Sequence, residues 1–145
     1  FLQEGKDLGD RMKNTFSARF ADGYEDVVII GADSPSLPLA YIEQAFASKK
    51  DVVLGPSMDG GYYLIGMREN LTDLFDGIAW GGDRVLKDTY CKLKSSDISL
   101  ELLPVWYDVD RSDDLIFLKT HLELMSAVGQ KEAASTKKFL SELSF

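Results

Sequence analysis

The sequence predicts one α/β domain with three layers, α/β/α, around a mixed and mostly parallel sheet. Three observations carry this. Short apolar runs alternate along the chain with segments of helical period, the pattern of strand–helix units. The run Val27-Val28-Ile29-Ile30 is apolar at every position, as in strands buried on both faces of a parallel sheet. That run leads into Gly31-Ala32-Asp33-Ser34-Pro35, which puts a carboxylate beyond the end of a strand, where open α/β sheets bind ligands.

The elements follow in order. A helix is predicted from Asp7 to Phe20, because Leu8, Met12, Phe16 and Phe20 recur every four residues and Ala21-Asp22-Gly23 ends it. Strand Asp26 to Ile30 comes next. A second helix starts near Pro38, turns Tyr41, Ile42, Ala45 and Phe46 inward, and stops at Lys49-Lys50. Asp51 to Leu54 reads as a strand ended by Gly55-Pro56. Gly61 to Met67 reads as another, preceded by the turn signal Asp59-Gly60-Gly61. Thr72 to Phe75 is expected to form a short helical turn, and Asp83 to Lys94 a full helix.

Ser99 to Leu103 is predicted as a strand, interrupted by Pro104 and resumed in extended form from Trp106 to Val109. Ser112 is placed to cap the helix that carries Leu115, Phe117, Leu118, Leu122 and Met125. After Gly129, a last amphipathic helix covers Glu132 to Leu143, its Phe139, Leu140 and Leu143, with Phe145 beyond, available to pack on the body or on a second subunit.

The 145 residues fit one domain. Acidic residues outnumber basic ones 24 to 16, for a formal charge of −8, so a nucleic-acid backbone would be repelled. A bound polyanion must therefore be met locally, by a cation or a few arginines. The single cysteine, Cys91, excludes an internal disulfide framework and fits a reducing compartment. The sequence reads as a cytoplasmic protein without a transmembrane segment.

Three acidic positions stand out as chemistry: Asp33, Asp59 and the pair Asp108/Asp110. In an extended segment Asp108 and Asp110 point to the same side. Carboxylates from separate strand ends over one crevice would suit Mg²⁺ or Mn²⁺, which take one or two carboxylates plus substrate phosphates. On spacing alone they are equally well read as solvated loop aspartates. Asp59-Gly60-Gly61 lets backbone approach a ligand closely, or is an ordinary hairpin turn. Tyr62 and Tyr63 alternate across their strand, one toward the core and one free to stack on a base or sugar. His121 reads as a partly buried structural residue, Cys91 as a packed small residue, and Lys137-Lys138 as a solvated face.

Four segments then occur in a distinctive order. They are Gly-Ala-Asp-Ser-Pro-Ser-Leu-Pro (31–38), Gly-Pro-Ser-Met-Asp-Gly-Gly-Tyr-Tyr-Leu-Ile-Gly-Met (55–67), Ile-Ala-Trp (78–80) with Arg84-Val85-Leu86, and Asp-Val-Asp (108–110) with Asp113-Asp114-Leu115. Together with Leu8-Gly9-Asp10-Arg11-Met12 the series resembles the DUF2064 family of bacterial glycosyltransferase-like proteins, in the nucleotide-diphospho-sugar transferase superfamily with its GT-A fold. The resemblance implies a GT-A-like domain over 1–128 and a C-terminal helical extension over 129–145.

The same resemblance implies metal-dependent transfer of a glycosyl group from a nucleotide sugar to a small-molecule acceptor. Nucleotide transfer to a phosphorylated small molecule and a non-catalytic nucleotide-binding domain are the alternatives. Asp33 and Asp110 would hold Mg²⁺ or Mn²⁺, with Arg11, Asp33 and Ser34 at the nucleotide diphosphate. Asp59 would be the general base. Gly60, Gly61, Tyr62, Trp80, Arg84 and Asp108 would face the sugar or acceptor. The pattern departs from the family twice. The family's opening strand with its glycine- and lysine-bearing loop is missing, and Gly81-Gly82-Asp83 follows Trp80 where serine- or threonine-type residues are expected. The expectation is a fold truncated at the N-terminus, with a homo-oligomer or strand exchange covering the edge at Val27 to Ile30.

Overall fold

The computed structural model describes residues 3–130 and 133–143. Along these the chain runs α1 (Leu8–Ala21), β1 (Asp26–Ile30), α2 (Leu39–Ala47), β2 (Val52–Pro56), β3 (Tyr62–Arg68), α3 (Val85–Lys94), β4 (Leu100–Leu102), α4 (Ser112–Ala127) and α5 (Ala134–Ser141). The four strands form one mixed sheet in the order β1-β3-β2-β4. β3 is antiparallel to both β1 and β2, with Ile30 opposite Leu64 and Leu54 opposite Ile65. β4 is parallel to β2, with Val53 opposite Glu101. Three strands thus share one direction and β3 runs against them from inside the sheet. Asp59-Gly60-Gly61 makes the tight link that an antiparallel neighbour permits.

The hydrophobic pattern decides the layers. Val52 and Leu54 of β2 with Ile65 and Met67 of β3 face α1 and α3, where Met12, Phe16 and Leu93 close one core. Val53, Leu64 and Tyr63 face the other way, onto Ala45, Tyr41 and Ile42 of α2. A bulge between Gly55 and Pro56 skips Tyr63 in the pairing with β2, which leaves it on the same side as Leu64. The Tyr63 ring lies where a Cβ on Gly55 would be, and its hydroxyl donates to the Pro104 carbonyl at 2.9 Å. A third cluster joins Leu118, Leu122 and Met125 of α4 to Leu140 of α5.

Several expectations are corrected by this architecture. β1 is not doubly buried. It lies at the edge of the sheet, antiparallel to its neighbour, and Ile30 is 49% exposed; no strand covers its outer edge among the described residues. The fully buried strands are β2 and the interior of β3. Thr72 to Phe75 is irregular rather than helical, because Leu74 and Phe75 both plug the α1-side core. Trp106 to Val109 is not a strand; it meets the end of β2 through one bridge between Trp106 and Ser57. The start of α4 is capped not by Ser112 but by Asp114, whose carboxylate accepts the N–H groups of Asp110 at 3.0 Å and Arg111 at 2.8 Å. Glu132, the first residue of the last predicted helix, and Phe145 beyond that helix lie outside the described residues. Among the described residues no helix is long and apolar enough to cross a membrane.

α1 is clasped to the irregular segment by Lys13, whose ammonium donates to Asp73 at 2.8 Å and to Asp76 at 3.0 Å. The Lys13 bond holds the Asp73 carboxyl down to about 2, below its ordinary 3.8. A carboxyl depressed on folding adds stability that is present above its unfolded value and lost as pH falls through the folded one. Asp73→Asn is therefore expected to be less stable than the wild type at neutral pH, with the gap closing as pH falls from 3.8 toward 2. Urea titrations at stepped pH measure it; a gap that stays constant across that window contradicts the assignment.

Candidate active site

The carboxyl end of β1 opens onto a cavity of about 620 Å³. Its floor is apolar, built from Met12, Ile29, Ile65 and Trp80 among others, and Asp33, Asp59, Asp83 and Asp108 stand around it. No lysine or arginine lines it among the described residues. Trp80 is fixed by contact with Gly9 of α1, by Phe75 (ring centroids 6.2 Å apart) and by an edge-to-face contact with Tyr62 at 6.4 Å. Burial pushes the Tyr62 phenol well above its usual value, with Thr89 offsetting part of the shift. Tyr62 is thus the wall residue of the pair, and Tyr63 is the buried one.

Each acidic side chain is placed by a local device. The Gly31 N–H extends the sheet by bonding the Tyr63 carbonyl at 2.8 Å, and the Asp33 carboxylate folds back to within 2.8 Å of where a Gly31 Cβ would stand. The Asp33 carbonyl accepts the Val109 N–H at 2.9 Å, so positions 33 and 109 are tied backbone to backbone. Ser34 is buried and not part of the cavity lining; its hydroxyl donates to Asp108 Oδ1 at 2.9 Å. Asp59 Oδ1 accepts from the Ser57 hydroxyl and from the Gly61 N–H at 2.9 Å, an Asx-type turn whose bonds do not use Oδ2. Gly60 sits at φ +92° with a Cβ position only 2.2 Å from the Asp83 carbonyl oxygen, and its own carbonyl accepts the Leu86 N–H at 2.8 Å. Only glycine fits both demands.

Electrostatics mark Asp108 as the strained member. Burial raises its pKa first, and the charges of Asp59 and Asp33 raise it further, while the Ser34 and Ser57 hydroxyls pull it back. Behind it lies a rigid relay. The Trp106 indole N–H donates to Ser36 Oγ at 3.2 Å, the Ser36 hydroxyl donates to the Tyr107 oxygen at 2.6 Å, and Tyr107 bonds His121 Nδ1 at 2.8 Å. That bond fixes the His121 ring against Tyr107.

The structure gathers Asp33, Asp59, Gly61, Tyr62, Trp80 and Asp108 around one cavity. Asp110 lies, together with Asp108, in the lining of an adjacent cavity of about 410 Å³ and is not part of the lining of the first. Arg11 and Arg84 stand outside the lining: Arg11 is an exposed α1 residue, and Arg84, at the start of α3, reaches Asp88 at 3.8 Å. Sequence reasoning passed over Ser57, Asp83 and the apolar floor. The repeated turn glycines beside 57 and 83 were the available signal.

An α/β domain with an acidic, ligand-sized cavity at the strand ends is what these features define. The chain belongs to the DUF2064 family, described as an uncharacterized protein conserved in bacteria, which it matches over residues 1–82. In structure it is similar to a protein from Desulfovibrio desulfuricans G20 that carries the provisional name nucleotide-diphospho-sugar transferase. The TM-score is 0.83 and the identity 37%; the match covers 94% of this chain and 61% of that one. The chain therefore spans less than two thirds of that relative. No curated protein matches it. The match establishes the fold as that of the nucleotide-diphospho-sugar transferase type.

Two substitutions test this geometry. Gly60→Ala is expected to cost about 2–4 kcal/mol in denaturant unfolding, since a positive φ and a backbone collision coincide. Ser34→Ala removes a bond that favours the ionised carboxylate, so the Asp108 carboxyl should titrate at still higher pH by ¹³C NMR; an unchanged or lower value would contradict the assigned contact.

Proposed function

We propose that the chain is the catalytic core of a metal-assisted glycosyltransferase that takes its donor as a nucleotide-diphospho-sugar. The observation that carries this reading is a cavity lined by four aspartates with no basic side chain in its described lining. An anionic diphosphate enters such a space only with a cation, and the apolar floor with Trp80 and Tyr62 suits a base or sugar ring. The name of the structural relative supports the same donor class.

The donor set fits a hard divalent cation of the Mg²⁺ or Mn²⁺ kind. Among the described residues no three acidic, thiol or imidazole side chains gather closely enough to cage a metal alone. A pair of carboxylates completed by phosphate oxygens and water is the arrangement expected of Mg²⁺. Asp33 and Asp108 would hold it, with Asp108 taking the place expected of Asp110 because it shares the cavity and the mutual repulsion with Asp33. Such an ion supplies charge neutralisation on the departing diphosphate.

The chain's own residues do the rest. The acceptor oxygen bonds to the anomeric carbon as the bond from that carbon to the diphosphate oxygen breaks, and the nucleoside diphosphate leaves with the electron pair. Asp59 Oδ2 takes the acceptor proton, its carboxylate held in place by the bonds to Oδ1. Ser34 and Ser57 orient Asp108. The open edge of β1 is the place for a strand from a second copy.

Calorimetry with nucleoside diphosphates is expected to show binding that needs Mn²⁺ and weakens about tenfold or more in Asp33→Asn. Asp59→Asn should keep that binding and lose about 10²–10⁴-fold in turnover. Binding indifferent both to Mn²⁺ and to Asp33→Asn would overturn the proposal. Release of pyrophosphate in place of nucleoside diphosphate would reassign the site to nucleotide transfer.

A further inference from the structure

The adjacent cavity of about 410 Å³ shares Asp59 and Asp108 with the first, so the two chambers meet at the carboxylate assigned as base. Its remaining wall differs in chemistry. Tyr107 and Phe117 meet edge to face at 4.9 Å, and Met58 stands beside them in the lining. Phe117 is 57% exposed and Met58 78% exposed, apolar surface left open to solvent at the mouth of a polar hollow. Around this platform stand Asp110 and Asp114, with Arg111 the single basic residue in the lining among the described residues. Counting the two shared aspartates, four carboxylates face one guanidinium.

We infer that this second cavity is the acceptor chamber, and that it takes an alcohol with an apolar or aromatic body that is uncharged or carries an amine. The inference rests on the transferase reading for the word acceptor, but the ligand chemistry rests on the cavity alone. A body placed on Tyr107, Phe117 and Met58 buries exposed apolar surface. A hydroxyl directed to the shared wall reaches Asp59, which lines both cavities, and its proton passes to that carboxylate as the oxygen attacks. Acceptors bearing phosphate or carboxylate meet a surplus of like charge and are disfavoured, which is a repulsive basis for selectivity. An ammonium group finds Asp110, whose carboxylate makes no hydrogen bond or ion pair among the described residues.

The test uses three matched probes on the ¹⁵N-labelled chain: benzyl alcohol, 4-(aminomethyl)benzyl alcohol and 4-carboxybenzyl alcohol. The first two should shift the amides of Met58, Tyr107, Arg111 and Phe117, with the amine binding about tenfold or more tighter than the carboxylate. Phe117→Ser should weaken both by about fivefold or more, and Phe117→Leu should restore most of the loss. Asp110→Asn should narrow the preference for amine over carboxylate by about threefold. Amide shifts located elsewhere, or a carboxylate probe that binds as well as the amine, would overturn the assignment. Titration with nucleoside diphosphate and Mn²⁺ is run in parallel. Failure there sinks the transferase reading, while the probe shifts still decide what the second cavity binds.

Discussion

Crowding of like charge at the end of β1 is the constraint on which the rest of the site depends. Asp33, Asp59 and Asp108 sit around one partly buried space, and burial and mutual repulsion together raise the pKa of Asp108. Holding carboxylates this way costs stability, and the fold offsets it with short bonds from neutral donors. Ser34 holds Asp108; Ser57 and the Gly61 N–H hold Asp59. Those donors fix position without cancelling charge. A site built in this manner remains attractive to a cation and to whatever polyanion arrives with it.

The surrounding fold works to keep that geometry stiff. Val109 N–H on the Asp33 carbonyl joins the two carboxylate segments directly, so neither can drift alone. The relay from Trp106 through Ser36 and Tyr107 to His121 locks the loop after β1 to α4. On the other side Gly9 lets the Trp80 indole lie against α1, and Gly60 lets the Asp59 turn press on the backbone of Asp83. Lys13 ties α1 to the irregular segment that carries Leu74 and Phe75 into the core. Two chambers of unlike lining, one apolar-floored and wholly acidic, the other aromatic with a single arginine, meet along Asp59 and Asp108.

Much of the fold was legible because its signals are local. The four-residue recurrence from Leu8 to Phe20 found α1 to within a residue at each end, and the apolar run of β1 was found residue for residue. The carboxylates at 33, 59 and 108 were legible for the same reason, each being adjacent to a strand end or a glycine turn. Misreadings came where a local rule met a non-local partner. Alternation predicted a common side for Asp108 and Asp110, and both line the second cavity; that Asp108 alone also lines the first was not legible, because the segment is pinned by Asp33 and Ser34 rather than by a strand. The charge of Arg11 and Arg84 is visible in sequence; that neither lines the first cavity is not. Ser112 looked like the cap of α4 until Asp114, two residues further on, reached back to the free N–H groups.

By itself the sequence determined the type and bounds of most elements, the α/β class, and which residues carry charge at strand ends, since periodicity, turn chemistry and capping act within a few residues. Tertiary structure alone decided that β3 runs antiparallel inside the sheet, that β1 lies at its edge, and which aspartates share a cavity. Those outcomes depend on which distant backbones pair and on where buried side chains must find hydrogen bonds, and no short window of sequence contains both partners.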